Sequence, residues 1–400
     1  MTKKISAALL AVALAAPLGA SAQEIKLGDT TLRFNAFAEM ALVYVLSGAS
    51  NTGDLYQAGP DVVLDNSGPD PKLHTRGLGV AYSRFGLSSN TPSKVGAIGM
   101  RIEGDFALSS NGTAGQTFTN SKAFRVRHAY GTVGDWLLLG QTWSTFADLN
   151  AFADQMDENP TVNLAALRAP MIRVTFPAGP AKIQFAAENP YATLSGPAAT
   201  RYTLPDLIGR VDFGAGPAAL SVRGVVRQFI TRDTSTGAAA DAELSGYGFG
   251  GAVGCALKFG GDTLALDASY GSAMGPYQYG NYGTGDFLVV TTAGTASIEK
   301  WSTLGLSAAF THVWNPQWRT NVLGSLLSAS ADTAIQNANT GANKQVIGVA
   351  ANTYYSFAKN AWVGLEVWYN SRTTFATATA AQDNKGSEFR ALATTHFDLF

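Results

Sequence analysis

The sequence predicts an all-β chain, a transmembrane antiparallel β-barrel of 16 strands with one loop folded inward to constrict the lumen. Three observations predict it. Apolar and polar residues alternate with period 2 over runs longer than the ~5–6 residues of an ordinary globular strand. Short turns and long polar segments alternate from one end of the chain to the other. Beyond an N-terminal leader, no apolar segment approaches the roughly 20 residues that a membrane-spanning helix needs. With 46% hydrophobic and 14% charged residues in 400, composition alone suits a soluble core as well as a barrel wall, so the order of segments decides.

The leader has Lys3 and Lys4, an apolar run from Ile5 to Leu18, and the small residues Ala20, Ser21 and Ala22. This is the pattern of a secretory signal, residues 1–22, cut before Gln23. Residues 23–400 then form one barrel domain, because no linker, charge block or shift in composition divides them. The single cysteine, Cys255, excludes an intrachain disulfide. The balance of 28 basic against 29 acidic side chains leaves no basic footprint for nucleic acid.

From Thr31 to Val45, Leu32, Phe34, Ala36, Ala38, Met40, Leu42 and Tyr44 alternate with Arg33, Asn35, Phe37, Glu39 and Ala41. A tilted membrane strand needs about 9–11 residues to cross, and this run exceeds that. A polar excursion over 47–75 follows, then strands over 76–89 and 95–108 around the NTPSK turn. In the second strand Phe85 and Leu87 oppose Arg84; in the third Ile98, Met100, Ile102 and Phe106 oppose Arg101, Glu103 and Asp105.

A hairpin comes next. Phe124, Val126, His128 and Tyr130 share one face of its first strand, Arg125 and Arg127 the other, and Gly134-Asp135 turns into a run from Trp136 to Trp143 that is apolar on both faces. Later turns fall at FPAGP, FGAGP, FGGD, WNPQW and AKNA, giving seven short turns. Long segments fall at 47–75, 109–121, 145–168, 190–205, 230–243, 276–298, 331–343 and 373–386, giving eight. Seven and eight require 16 strands with both chain ends on the short-turn rim, the even count of bacterial outer-membrane barrels. In the last strand Phe389, Ala391, Ala393, Thr395, Phe397 and Leu399 form the apolar file, which puts the terminal Phe400 out of phase.

Arg33, Arg84, Arg101, Arg125, Arg127, Arg173, Arg210, Arg223, Arg227, Arg319, Arg372 and Arg390 all fall on the polar phase. Against lipid at mid-depth each would cost about 2–4 kcal/mol, so they belong in the lumen. Two readings of this file stay open: an anion-guiding ladder, with Arg33, Arg84, Arg101, Arg125, Arg127, Arg173 and Arg223 as pore-lining candidates, or simple pairing with Glu39, Glu103, Asp105, Glu188, Asp212, Asp267 and Glu366 inside the wall. The segment after Trp143 carries Asp148, Asp154, Asp157 and Glu158 and is the candidate constriction loop. Opposite Arg125 and Arg127 it would set up a transverse field across the pore.

No cofactor or metal is expected, since Asp154, Asp157 and Glu158 lack the glycine and spacing of a 12-residue calcium loop. The four histidines, His74, His128, His312 and His396, stand near no nucleophile or acid at motif spacing, so the chain reads as no enzyme. His128 and Tyr130 on a nominally outward face suggest that the early strands line a contact between copies, because imidazole is awkward in lipid.

The segments FRVRHAYG, LLLGQTWSTFAD, SRFGLSSNTPS and IEGDF, most specifically between Ala81 and Asp148, resemble the DcaP-like family of trimeric outer-membrane porins. The resemblance implies a 16-stranded homotrimer with an arginine-rich lumen that passes small anions such as dicarboxylates. It carries over Arg84, Arg101, Arg125 and Arg127 as lumen residues and Asp148 as the start of the inserted loop. Some members bear an N-terminal coiled coil, and no heptads precede Thr31 here. The sequence reading is thus a passive channel in bacterial outer-membrane lipid for small hydrophilic, anionic solutes. The alternatives are a general porin without preference and a structural or adhesive barrel that binds partners through its loops.

Overall fold

A computed structural model describes residues 23–48, 60, 62–65, 76–108, 123–157, 161–191, 194–195, 198–201, 204–233, 243–281, 286–292, 295–337, 341–379 and 383–399. The leader 1–22, His74, Glu158 and Phe400 lie outside them. Among the described residues, 16 strands form a closed antiparallel barrel, and no helix is long and apolar enough to cross a membrane. The strands are β1 (Thr30–Ser47), β2 (Arg84–Thr91), β3 (Ile98–Leu108), β4 (Ala123–Val133), β5 (Leu137–Trp143), β6 (Arg168–Ala178), β7 (Ala181–Glu188) and β8 (Asp206–Ala215). They continue as β9 (Ala218–Asp233), β10 (Glu243–Phe259), β11 (Asp262–Ser272), β12 (Ser302–Val313), β13 (Trp318–Ser330), β14 (Asn343–Ala358), β15 (Ala361–Thr374) and β16 (Lys385–Asp398). Each pairs with its neighbour in sequence, and β16 closes on β1 from Phe37↔Asp398 to Tyr44↔Ala391. Closure leaves no open sheet edge, the condition for a sheet in hydrocarbon.

The expected seven short and eight long connections are present. Gly134, Gly179, Gly216 and Gly260, with φ between 52° and 63°, stand in four of the short turns, a left-handed conformation that a side chain disfavours. Outward positions keep the apolar file: Phe85, Leu87, Ile98, Ile102, Val222, Val226, Phe249 and Phe397 are exposed. Such side chains outside and charges inside are the arrangement that lipid imposes.

Around β1 and β2 the structure departs from the expected strands in two places. A short strand Gln23–Leu27 folds back on the start of β1 through Gly28 and fills the rim slot beneath the end of β16. The strand expected over 76–89 is interrupted: Arg76–Gly79 and β2 both pair with β1, and residues 80–83 between them turn aside. The turn buries Tyr82 beneath the Arg125 guanidinium, while the Glu39 amide donates to Ser83 Oγ.

One expectation is overturned. His128 and Tyr130 do not share the outward face of Phe124 and Val126. The pairing of β3 with β4 shifts at Glu103/Gly104, with Glu103 opposite His128 and Gly104 opposite Val126. Arg127 is the extra residue of a β-bulge, which reverses the alternation beyond it. His128 is therefore buried, with its Nδ1 2.9 Å from Thr142 Oγ1, Tyr130 follows it inward, and Ala129 becomes the exposed residue. The argument for a contact between copies through His128 falls with that register.

The wall is uneven in height. Strands β2, β5 and β7 have 8, 7 and 8 residues, against 16, 17 and 16 for β9, β10 and β14. At ~3.3 Å per residue and ~40° tilt, seven residues rise about 18 Å, less than the ~25 Å apolar band of such barrels.

The seam between β1 and β16 encloses a polar cluster. His396 points Nδ1 at Glu39 Oε2, 3.0 Å away, and Nε2 at Asp398 Oδ1, 3.3 Å away, while its ring stacks on Trp362 at 5.0 Å.

The bulge is checked by thiol accessibility in a Cys255→Ser background. A membrane-impermeant maleimide entering the lumen should label Tyr130→Cys and leave Ala129→Cys unlabelled in intact vesicles. An unbroken alternation would give the reverse.

Candidate functional site: the constriction of the lumen

The segment after β5 turns into the barrel instead of leaving it. Its base is closed by the Ser144 amide donating to Leu167 O at 3.0 Å, and the Thr145 amide donates to Glu188 Oε1 on β7 at 2.6 Å. A short 3-10 turn, Leu149–Ala151, is capped by Asp148, which accepts from the Asn150 amide.

Asp148 is the anchor at this end. It accepts from Ser221 Oγ at 2.5 Å and pairs with Arg210 at 3.3 Å, while Arg210 Nη1 donates to Ala147 O at 2.5 Å and Arg223 Nη1 to Phe146 O at 3.0 Å. Gly254 on β10 makes room for it, because a Cβ there would fall on the Asp148 carboxylate. Burial tends to raise the Asp148 pKa, but the Arg210 and Arg223 guanidinium groups, the Ser221 hydroxyl and the Asn150 amide together hold it below the usual carboxylate value.

The tip crosses to the opposite wall. Asp154 pairs with Arg319 at 2.5 Å, and Asp157 pairs with Arg390. The Met156 and Asp157 amides each donate at 2.9 Å to one oxygen of Glu366. Met156 packs on Tyr354 and Trp362 beside Gly364, where a Cβ would meet its side chain. The return limb is held by the Val162 amide donating to Ser325 Oγ at 3.2 Å and by the Tyr279 and Gly280 amides donating to Leu164 and Val162 carbonyls. The loop is thus a strap across the lumen, tied at both ends and along its return.

On the wall of β2, β3 and β4 the arginines cluster around two carboxylates. Arg125 holds Asp105 with two bonds of 2.8 and 2.7 Å, and Arg127 adds a third at 2.7 Å. Glu103 has Arg101 at 2.5 Å, Arg127 at 3.4 Å and Arg84 at 3.8 Å. The carboxylates lie at the back: Glu103 and Asp105 side chains are 4% and 0% exposed, against 42% for Arg101 and 32% for Arg125. Solution in the lumen meets guanidinium heads.

The remaining pore-lining candidates separate by position. Arg33 sits on the rim, paired with Glu24 at 2.7 Å. Arg223 is buried by its ion pair to Asp267 and its bond to the loop, so it holds the strap. Arg173 faces inward on β6, opposite Ala186 and in phase against the exposed Ile172. The loop carboxylates Asp148, Asp154 and Asp157 are brought to Arg210, Arg319 and Arg390 and do not stand as bare charges opposite Arg125 and Arg127.

Sequence reading missed a second intrusion. Val62, Val63 and Leu64 of the first long segment are buried against β14–β16, with Arg372 Nη1 donating to Val62 O at 3.0 Å and the Asp65 amide to Lys385 O at 2.6 Å. The apolar run in DVVLDN was its signal.

Removing the anchor should free the strap. Because the Asp148 carboxyl titrates below its unfolded value of ~3.9, its contribution is complete above that pH and is lost as pH falls through the lower folded value. Asp148→Asn should therefore raise open-channel current noise at pH 7 and at pH 5 alike. The wild-type channel should stay quiet at both, as recorded in planar bilayers.

No known family model and no characterised protein sequence matches the chain. Solved structures do. The crystal structure of the outer membrane channel DcaP of Acinetobacter baumannii superposes with a TM-score of 0.78 at 24% identity, covering 92% of this chain and 97% of that one. An anion-selective porin from Comamonas acidovorans superposes with a TM-score of 0.59 at 14% identity over 92% of this chain and 100% of the other, and OmpT of Vibrio cholerae with 0.58 at 13% over 94% and 100%. By architecture, strand count and superposition, the chain has the fold of the outer-membrane channel DcaP.

Proposed function

We propose that the chain is exported by its leader 1–22 to the bacterial outer membrane and serves there as a passive diffusion channel for small hydrophilic solutes, with a preference for anions. The observation that carries this is the asymmetry of the ion pairs on the wall of β2, β3 and β4: the Arg101 and Arg125 guanidinium heads reach solution and their carboxylates are buried behind them. An anion can replace part of its hydration with contacts to Arg84, Arg101 and Arg125, whereas a cation meets no comparable acceptor there. The strap narrows the passage so that this wall acts at short range. Similarity to a channel whose description is an anion-selective porin supports the same reading.

A homotrimer fits the uneven wall. The sector around β2, β5 and β7 is too low to cover the apolar band by itself, and packing against further copies of the chain would shield its rim from lipid. In gentle detergent the folded protein should show three times the protomer mass, and a monomer would remove this part of the proposal.

Planar-bilayer reversal potentials under a salt gradient should show anion preference near 0.1 M salt that weakens near 1 M, as the screening length falls from ~10 to ~3 Å. Liposomes should swell faster in dicarboxylates than in neutral sugars of similar size. Arg125→Ala/Arg127→Ala should lower the preference more than the conductance, since it also uncovers Asp105. A channel with no preference at low salt would instead be a general porin, and absence of swelling would point to a structural barrel.

A further inference from the structure

Among the described residues, every inward arginine discussed above has a carboxylate, carbonyl, amide oxygen or aromatic partner, except Arg173. Among the described residues no carboxylate lies within 4 Å of it and no hydrogen bond reaches it. Its neighbours explain why. Glu188, the nearest acid on β7, is engaged by the Thr145 amide at the root of the strap. Asp212 on β8 is held by Arg210 at 2.7 Å and by Gln184 Nε2 at 2.7 Å.

The second cation of this wall, Lys182, is left in the same position. It stands on the lumen phase of β7, opposite Pro177 and Asp212, is exposed, and has no bonded partner among the described residues. Lys182 lies toward the short-turn rim and Arg173 toward the strap, within each other's electrostatic reach and that of Arg210. The local acids bond the strap, Gln184 and Arg210, so Glu188 and Asp212 act on the two cations only through space and leave their N–H donors without a bonded carboxylate. Such an arrangement lowers its own energy by admitting a small oxyanion, whose oxygens can accept a planar guanidinium fork at one step and an ammonium at the next.

We propose that Arg173 and Lys182 form the subsite that selects and holds the permeating oxyanion on the short-turn side of the strap, a role that rests on the anion-channel reading above. The arginines around Glu103 and Asp105 contribute field, while Arg173 and Lys182 supply unsaturated donors.

The test uses the full-length protein in planar bilayers, with a potassium chloride gradient for selectivity and added inorganic phosphate as the competing oxyanion. For wild type, chloride preference and a saturable reduction of chloride current by phosphate are expected. Arg173→Gln/Lys182→Gln should lower the chloride-to-potassium permeability ratio by up to about sixteenfold per charge, since a unit charge ~5 Å away in water changes the partition of each ion about fourfold and in opposite senses, and abolish the phosphate effect. Arg173→Lys, which keeps the charge, should retain both, which separates loss of the subsite from damage to the wall. Lys94→Gln, in the exposed turn between β2 and β3, should behave as wild type. Persistence of the phosphate effect in Arg173→Gln/Lys182→Gln would overturn the subsite while leaving the channel reading intact. Absence of any chloride preference in wild type would overturn the channel reading itself.

Discussion

The pairing of guanidinium with carboxylate inside a closed wall governs the rest of this structure. A barrel in lipid must turn its charges inward, and inside it they lie in a narrow space where an uncompensated ion is costly. The chain meets that cost with inward acids on neighbouring strands and with acids carried on a loop. Asp105 and Glu103 balance the arginines of β2 to β4 from within the wall. Arg210, Arg319 and Arg390 receive theirs from the strap. The strap is held in the lumen because the far wall offers Arg319, Arg390, the Glu366 carboxylate and the Ser325 hydroxyl as partners, and its route follows from where those partners stand.

Much of this was legible in the sequence because it depends on period and count. Alternation gave the lumen and lipid faces of most strands, and connection lengths gave 16 strands. The acidic composition after Trp143 marked the inward loop. What escaped were departures from period. The bulge at Arg127 inserts one residue and reverses His128 and Tyr130, and nothing in FRVRHAYG distinguishes that from an unbroken strand. The break at 80–83 has the same character: Tyr82 leaves the wall for a pocket beneath an arginine from another strand. The pairing of particular arginines was also hidden, since a register between β6, β7 and β8 decides whether Glu188 serves Arg173 or the strap.

The ties along the strap bear on how the channel conducts. Hydrogen bonds and ion pairs hold it at Asp148, Asp154, Asp157 and Val162, so the passage is shaped by a fixed insert. Intrusion of Val62, Val63 and Leu64 against β14–β16 narrows the long-loop end by apolar contact, a device of a different kind.

The cluster around His396 has a consequence for biogenesis. Its partner Glu39 lies 357 residues away in sequence, so the seam is the most non-local contact of the barrel and the last that a sequentially pairing chain can complete. A slip of one residue between β1 and β16 would turn the imidazole toward lipid and leave Glu39 without its partner, since strand faces alternate with period 2. The polar seam therefore works as a key for the terminal strands, accepting one alignment of the chain's two ends and penalising its nearest neighbours.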